Sequence, residues 1–179
     1  MKSAVLVIDV QNILFDPIPR PFEAKSVIER INQVTSWARA NKKMVIYVQH
    51  EQMHSEIAFG TAGWQLQTHL NIADSDQLVR KTTPDSFLHT DLEALLKKNQ
   101  IEHLIICGYA TEFCIDTTVR QAAGLGYSIE LVSDAHTTHD KSHASAEQIR
   151  AHHNATLPNI SSFGVKITAV TMDALTKAS

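Results

Sequence analysis

Cys114 closes the segment Gly108-Tyr109-Ala110-Thr111-Glu112-Phe113-Cys114 and opens a helical pattern. A cysteine in the first turn of a helix meets unpaired backbone N–H groups and the positive end of the helix dipole, and both favour a thiolate. Asp9 follows the apolar run 4–8, where it is placed to accept a thiol proton and return it to a leaving amine. Lys81 follows the short segment 77–80, and its ammonium would lower the thiol pKa further. Backbone N–H groups in the turn before Cys114 offer donors to a tetrahedral oxyanion. Together these residue types suit covalent catalysis at a carbonyl. Each also has a plainer role: a free cysteine is often a small core residue, and an acid after a strand often caps a turn. Cys107, inside Leu104-Ile105-Ile106-Cys107, takes the plain role of a buried side chain.

The elements that must position these residues alternate between strand and helix. Continuous apolar runs at 4–8, 44–48 and 104–107 read as strands buried on both faces, with further strands at 77–80, 128–132 and 165–170. Residues 22–40 place Val27, Ile28, Ile31, Val34, Trp37 and Ala38 on one helical stripe. Helices are also predicted over 90–98, 113–125, 142–157 and 172–177, that over 113–125 stopping near Gly124 and Gly126. The stretch 50–76 shows no clear period and reads as a long loop containing Gly60, Gly63 and Trp64. Strands alternating with helices predict one α/β domain over 1–179. Its form is a three-layer α/β/α sandwich, a mainly parallel central sheet with helices on both faces. Ligands in such folds sit beyond the C-terminal strand ends, where Asp9, Lys81 and the Cys114 segment would gather.

Composition narrows the function. The 179 residues carry a net charge of -3 and no long run of one sign, so nothing points to nucleic acid. No apolar run reaches membrane-spanning length. The N-terminus meets Asp9 after an apolar stretch too short for a signal peptide, which makes the cytoplasm the expected compartment. Two cysteines suit a reducing compartment and make a poor zinc site. Ten histidines are scattered at polar positions and read mostly as surface residues.

The segment from Gly108 through Cys114-Ile115-Asp116-Thr117-Thr118-Val119-Arg120-Gln121-Ala122 resembles the nucleophile segment of the isochorismatase-like cysteine hydrolases. Leu6-Val7-Ile8-Asp9-Val10-Gln11-Asn12 is similar to that family's first strand and Asp-x-Gln turn. Arg80-Lys81-Thr82-Thr83-Pro84-Asp85-Ser86-Phe87 is similar to its lysine segment, and Asp134-Ala135 also fits. The resemblance covers nearly the whole chain. It implies an Asp9–Lys81–Cys114 triad and an oxyanion hole made by the backbone amides of Ala110 and Cys114. It also implies a cis peptide joining Ala110 to Thr111, and a homo-oligomer whose pockets close at a subunit boundary.

Within the family, the chain looks most like compact amidohydrolases near the streptothricin hydrolases. The implied reaction is hydrolysis of a C–N bond in a small amide, lactam or ureido compound through a thioester, with no cofactor. Gln11, Phe15, His50, Trp64 and Thr111 are candidate substrate-binding residues. Nicotinamidases in this family carry an Asp-x-His metal motif after the second strand. Here that place reads Val48-Gln49-His50-Glu51-Gln52-Met53-His54, without the Asp. His50 then lines the pocket, His54 and His69 face solvent, and no metal is expected. Two other readings stay open: vinyl ether hydrolysis of isochorismate without a thiol nucleophile, and an idle scaffold or binding protein on the same fold.

Overall fold

Six parallel strands form one sheet in the order β3-β2-β1-β4-β5-β6. They are β1 (Ser3–Ile8), β2 (Met44–His50), β3 (Gln77–Lys81), β4 (His103–Tyr109), β5 (Ser128–Thr137) and β6 (Ile167–Val170). The helices are α1 (Asn12–Phe15), α2 (Ala24–Ala40), α3 (Leu92–Lys98), α4 (Asp116–Gly124), α5 (Ala146–Thr156) and α6 (Met172–Lys177). The computed structural model describes residues 1–177.

The runs of Val, Ile and Leu form central strands because both sheet faces are covered. In β1 every residue is buried: Ala4, Leu6 and Ile8 join the core under α3 and α4, while Val5 and Val7 join the core under α2 and α6. This is the period-two alternation of a strand with two dry faces. The predicted three-layer α/β/α architecture is thus the one observed. Helix α2 buries Val27, Ile28, Ile31, Val34 and Ala38, most of the stripe its spacing predicts, while Trp37 is only partly buried. Among the described residues no helix is long and apolar enough to cross a membrane.

The strand order reverses direction between β1 and β4, and a crevice at such a reversal is where parallel sheets hold ligands. Ile8 pairs with both Val48 and Gly108, so the C-terminal ends of β2, β1 and β4 lie level. Gly108, at φ +122°, crosses so close to β1 that a Cβ there would stand 2.1 Å from the Ile8 carbonyl oxygen. Only glycine fits that crossing.

Two elements differ from the sequence reading. Strand β5 does not stop at Val132 but runs to Thr137. A register shift between Ile106 and Gly108 lets the strand bulge and re-pair, His136 with Gly108 and Tyr109 with Thr137. The helix predicted from residue 113 begins earlier, as a wide π-helical turn over Thr111–Ile115 that continues into α4. The loop 51–76 is irregular, as its sequence predicts. Arg39 pins it to α2 through a bidentate pair with Asp76, at 3.0 and 2.6 Å.

Candidate active site

Asp9 leaves the end of β1 at φ 53°, a left-handed conformation that Asp tolerates better than most residues. Its N–H donates to the Val48 carbonyl at 2.9 Å, which ties the turn to β2. Lys81 is the last residue of β3 and pairs in register with His50, the last residue of β2. Cys114 lies in the π-helical turn after β4. The residues at three strand ends therefore converge where the sheet topology predicts.

The Lys81 ammonium is the hub. Its Nζ lies 2.7 Å from Asp9 Oδ2, and the two side chains are 0 % and 2 % exposed. It donates to the Thr83 carbonyl at 3.0 Å and to Cys114 Sγ at 3.3 Å, and His50 Nδ1 stands 3.4 Å away. Asp9 Oδ1 is buried with no hydrogen-bonded partner among the described residues. An ion pair this dry is held by its hydrogen bonds, since each charge alone would cost several kcal/mol to bury, on the order of 3–5 when one partner is removed.

Burial and nearby charge act on Cys114 against the thiolate that the start of a helix favours. Burial and the Asp9 carboxylate push the thiol up to about 12, and Lys81 pulls it down by less. The reason is that Lys81 is already neutralised by Asp9 at 2.7 Å, so sulfur sees an ion pair rather than a free cation. Cys114 is thus a neutral thiol next to a carboxylate that can take its proton. The rate of Cys114 alkylation by iodoacetamide is therefore expected to keep rising through pH 9–10; a plateau by pH 7 would mean a resting thiolate. Cys107 is fully buried, burial alone raises its thiol far above the usual range, and it is expected to label more slowly still.

The remaining expectations divide. His50 is half-buried beside Lys81, and burial followed by the Lys81 charge lowers its pKa, which keeps the ring neutral. Gln11 is fully buried and committed to backbone: its amide nitrogen donates to the His50 and Trp64 carbonyls at 2.9 and 2.8 Å, and its oxygen accepts from His50 N–H at 2.8 Å. Both of its amide N–H groups and one lone pair of its oxygen therefore go to backbone, and it positions His50. Phe15 is 1 % exposed, meets Tyr109 edge-on at 5.7 Å, and borders a cavity of about 240 Å³ facing α2. Trp64 is buried with its ring edge-on to Phe59 at 4.8 Å, and its indole N–H has no partner among the described residues.

Thr111 is fully buried, its hydroxyl held 2.8 Å from His136 Nδ1. It is part of the scaffold under Cys114 rather than of an open pocket. The cis peptide joins Tyr109 to Ala110, one bond earlier than the Ala110–Thr111 bond predicted. His54 and His69 are exposed, and among the described residues no cluster of three or more His, Cys, Asp or Glu is gathered to hold a metal.

The sequence reading missed Tyr109, His136 and the Thr83 carbonyl. Its motif stopped at Asp134-Ala135, one residue short of His136, and a histidine inside a polar stretch reads as a surface residue until the strand beneath it is known.

An isochorismatase domain model matches residues 3–165. A streptothricin hydrolase of Streptomyces noursei is 33% identical over 139 residues, spanning 77% of this chain and 50% of that protein. The chain thus spans about half the length of that relative. An uncharacterised isochorismatase family protein of Bacillus subtilis is 31% identical over 136 residues, 75% of this chain and 73% of that protein. The crystal structure of an isochorismatase family protein superposes with a TM-score of 0.87 at 34% identity, covering 94% of this chain and 98% of the other.

Proposed function

The chain belongs to the isochorismatase family, and from that premise we propose that it is a cysteine hydrolase that cleaves a C–N bond of a small amide, lactam or ureido compound. One observation carries this reading: the buried Lys81 ammonium touches both the Asp9 carboxylate and the Cys114 sulfur. Such a contact joins a proton acceptor, a cation and a nucleophile in one dry site, which is what acyl transfer to a thiol requires.

In the proposed cycle Sγ of Cys114 attacks the substrate carbonyl carbon while its proton passes to Asp9. The carbonyl oxygen takes the negative charge, and the backbone amides of Ala110 and Cys114 are proposed to receive it. Asp9 then gives the proton to the departing nitrogen as the C–N bond breaks, leaving a thioester. A water molecule attacks the thioester and hands a proton to Asp9, and that proton returns to sulfur as the acid leaves. Lys81 holds Asp9 in place throughout and stabilises charge on sulfur. The neutral His50 ring and the unpaired Trp64 indole N–H are the proposed substrate contacts.

The reading also includes a homo-oligomer, which exposed apolar side chains on site-bearing segments support: Phe113 is 52% exposed beside Cys114, and Phe59 59% exposed against Trp64. Sedimentation equilibrium reads this directly, a monomer at micromolar concentration counting against it. Two free thiols fit a cytoplasmic setting. The test of function is release of ammonia or amine from nicotinamide and ureido compounds, and appearance of the ring-opened amino acid from cyclic amides, compared with enzyme alkylated at Cys114. Turnover lost on alkylation is the expected result; no turnover of any member of the panel would remove the proposal.

A further inference from the structure

Ala110 stands between two hydroxyl-bearing residues, and each hydroxyl meets a histidine at the end of β5 or just beyond it. Thr111 Oγ1 lies 2.8 Å from His136 Nδ1, with both residues fully buried. Tyr109 Oη lies 2.8 Å from His139 Nδ1. The partners of each ring settle who donates. The Asn154 amide nitrogen donates to the Ser133 carbonyl at 2.8 Å, which leaves Asn154 Oδ1 as the acceptor facing His136 Nε2 at 2.8 Å. His136 therefore carries its proton on Nε2, and burial lowers its pKa to about 4, so Nδ1 is an acceptor at neutral pH. His139 Nε2 lies 3.0 Å from the Pro19 carbonyl, which only accepts, so Nε2 carries a proton and Nδ1 is the atom left to face Tyr109 Oη.

Both hydroxyls thus donate to histidine rings of the scaffold. The histidines reach them because of the β5 register shift, which brings His136 level with Gly108 and Thr137 level with Tyr109. We propose that His136 and His139 are positioning residues that clamp the Tyr109–Thr111 turn from both sides and so aim the Ala110 amide at the developing oxyanion. This rests on the hydrolase reading above, in which that amide receives the carbonyl charge. The clamp is built from elements distant in sequence: His136 is held by Asn154 of α5, and His139 by the loop that carries Pro19.

The hydroxyl and the methyl of Thr111 can be separated by substitution. Thr111→Val keeps the shape and removes the donor, while Thr111→Ser keeps the donor. With an amide found in the panel, Thr111→Val is expected to lower kcat about 10- to 100-fold with little change in KM, the size of effect that misplacing a reacting group produces. Thr111→Ser should stay within about threefold of the parent on the same scale. Alkylation of Cys114 by iodoacetamide builds no oxyanion, and its rate should not change in either variant. Unchanged kcat in Thr111→Val, or an equal fall in Thr111→Ser, would overturn the clamp.

Tyr109→Phe is the second variant and keeps the test decisive if Thr111→Val does not fold. Amide hydrogen exchange over residues 104–115 is read alongside. The clamp predicts that exchange quickens in Thr111→Val and Tyr109→Phe and not in Thr111→Ser; unchanged exchange in both of the first two overturns it. If the parent enzyme hydrolyses no amide, the hydrolase reading fails on its own, and exchange still decides the clamp.

Discussion

Cys114→Ala is expected to lower amide turnover by at least about 10⁴-fold, the scale seen when a covalent nucleophile is removed from a hydrolase whose parts act as a unit. The fold should survive, because Cys114 is only partly buried and its loss leaves no buried charge unpaired: the Lys81 ammonium keeps Asp9 and the Thr83 carbonyl. Steady-state ammonia release, with thermal unfolding as the control for folding, measures both. The same variant separates the competing chemistry. Vinyl ether hydrolysis needs no thiol, so isochorismate turnover that survives Cys114→Ala would replace the amidohydrolase reading. Release of ammonia surviving the substitution would remove Cys114 from the mechanism.

Lys81→Met is expected to cost stability as well as activity. It leaves the Asp9 carboxylate buried without its cation, since Oδ2 loses the ammonium at 2.7 Å and Oδ1 has no cation beside it among the described residues. Breaking one side of a buried pair costs about 3–5 kcal/mol. In a domain of this size that corresponds to a fall in Tm of roughly 10 °C. Asp9→Asn combined with Lys81→Met removes both charges, and Asn is well suited to the left-handed φ of 53° at position 9. The double variant should regain most of the lost Tm while staying inactive, since neither proton acceptor nor cation returns. Equal Tm values for the parent and Lys81→Met would show that the pair is not dry.

Much of the fold was legible because its signals are local. The apolar runs of β1, β2 and β4 and the stripe of α2 record burial of nearby residues in the sheet and against it, and they appear in the chain as unbroken apolar runs and as a period of 3.6. Asp9, Lys81 and the Cys114 segment were legible for a related reason. Each is tied to a strand end, and in a parallel sheet the strand ends share one edge. Gln11 and Thr111 were assigned to substrate because their types allow it; the tertiary structure engages their polar groups with protein partners, while Phe15 borders a cavity facing α2.

By itself, then, the sequence determined the α/β layering and which three side chains meet at the sheet edge. The tertiary structure decided the state in which they meet. Whether Cys114 rests as thiol or thiolate depends on burial and on the charges of Asp9 and Lys81 together, and those fields fall off with distance in space rather than along the chain. The same holds for His136, whose place under the Tyr109–Cys114 turn depends on a strand bulge that exists only once β4 and β5 have paired.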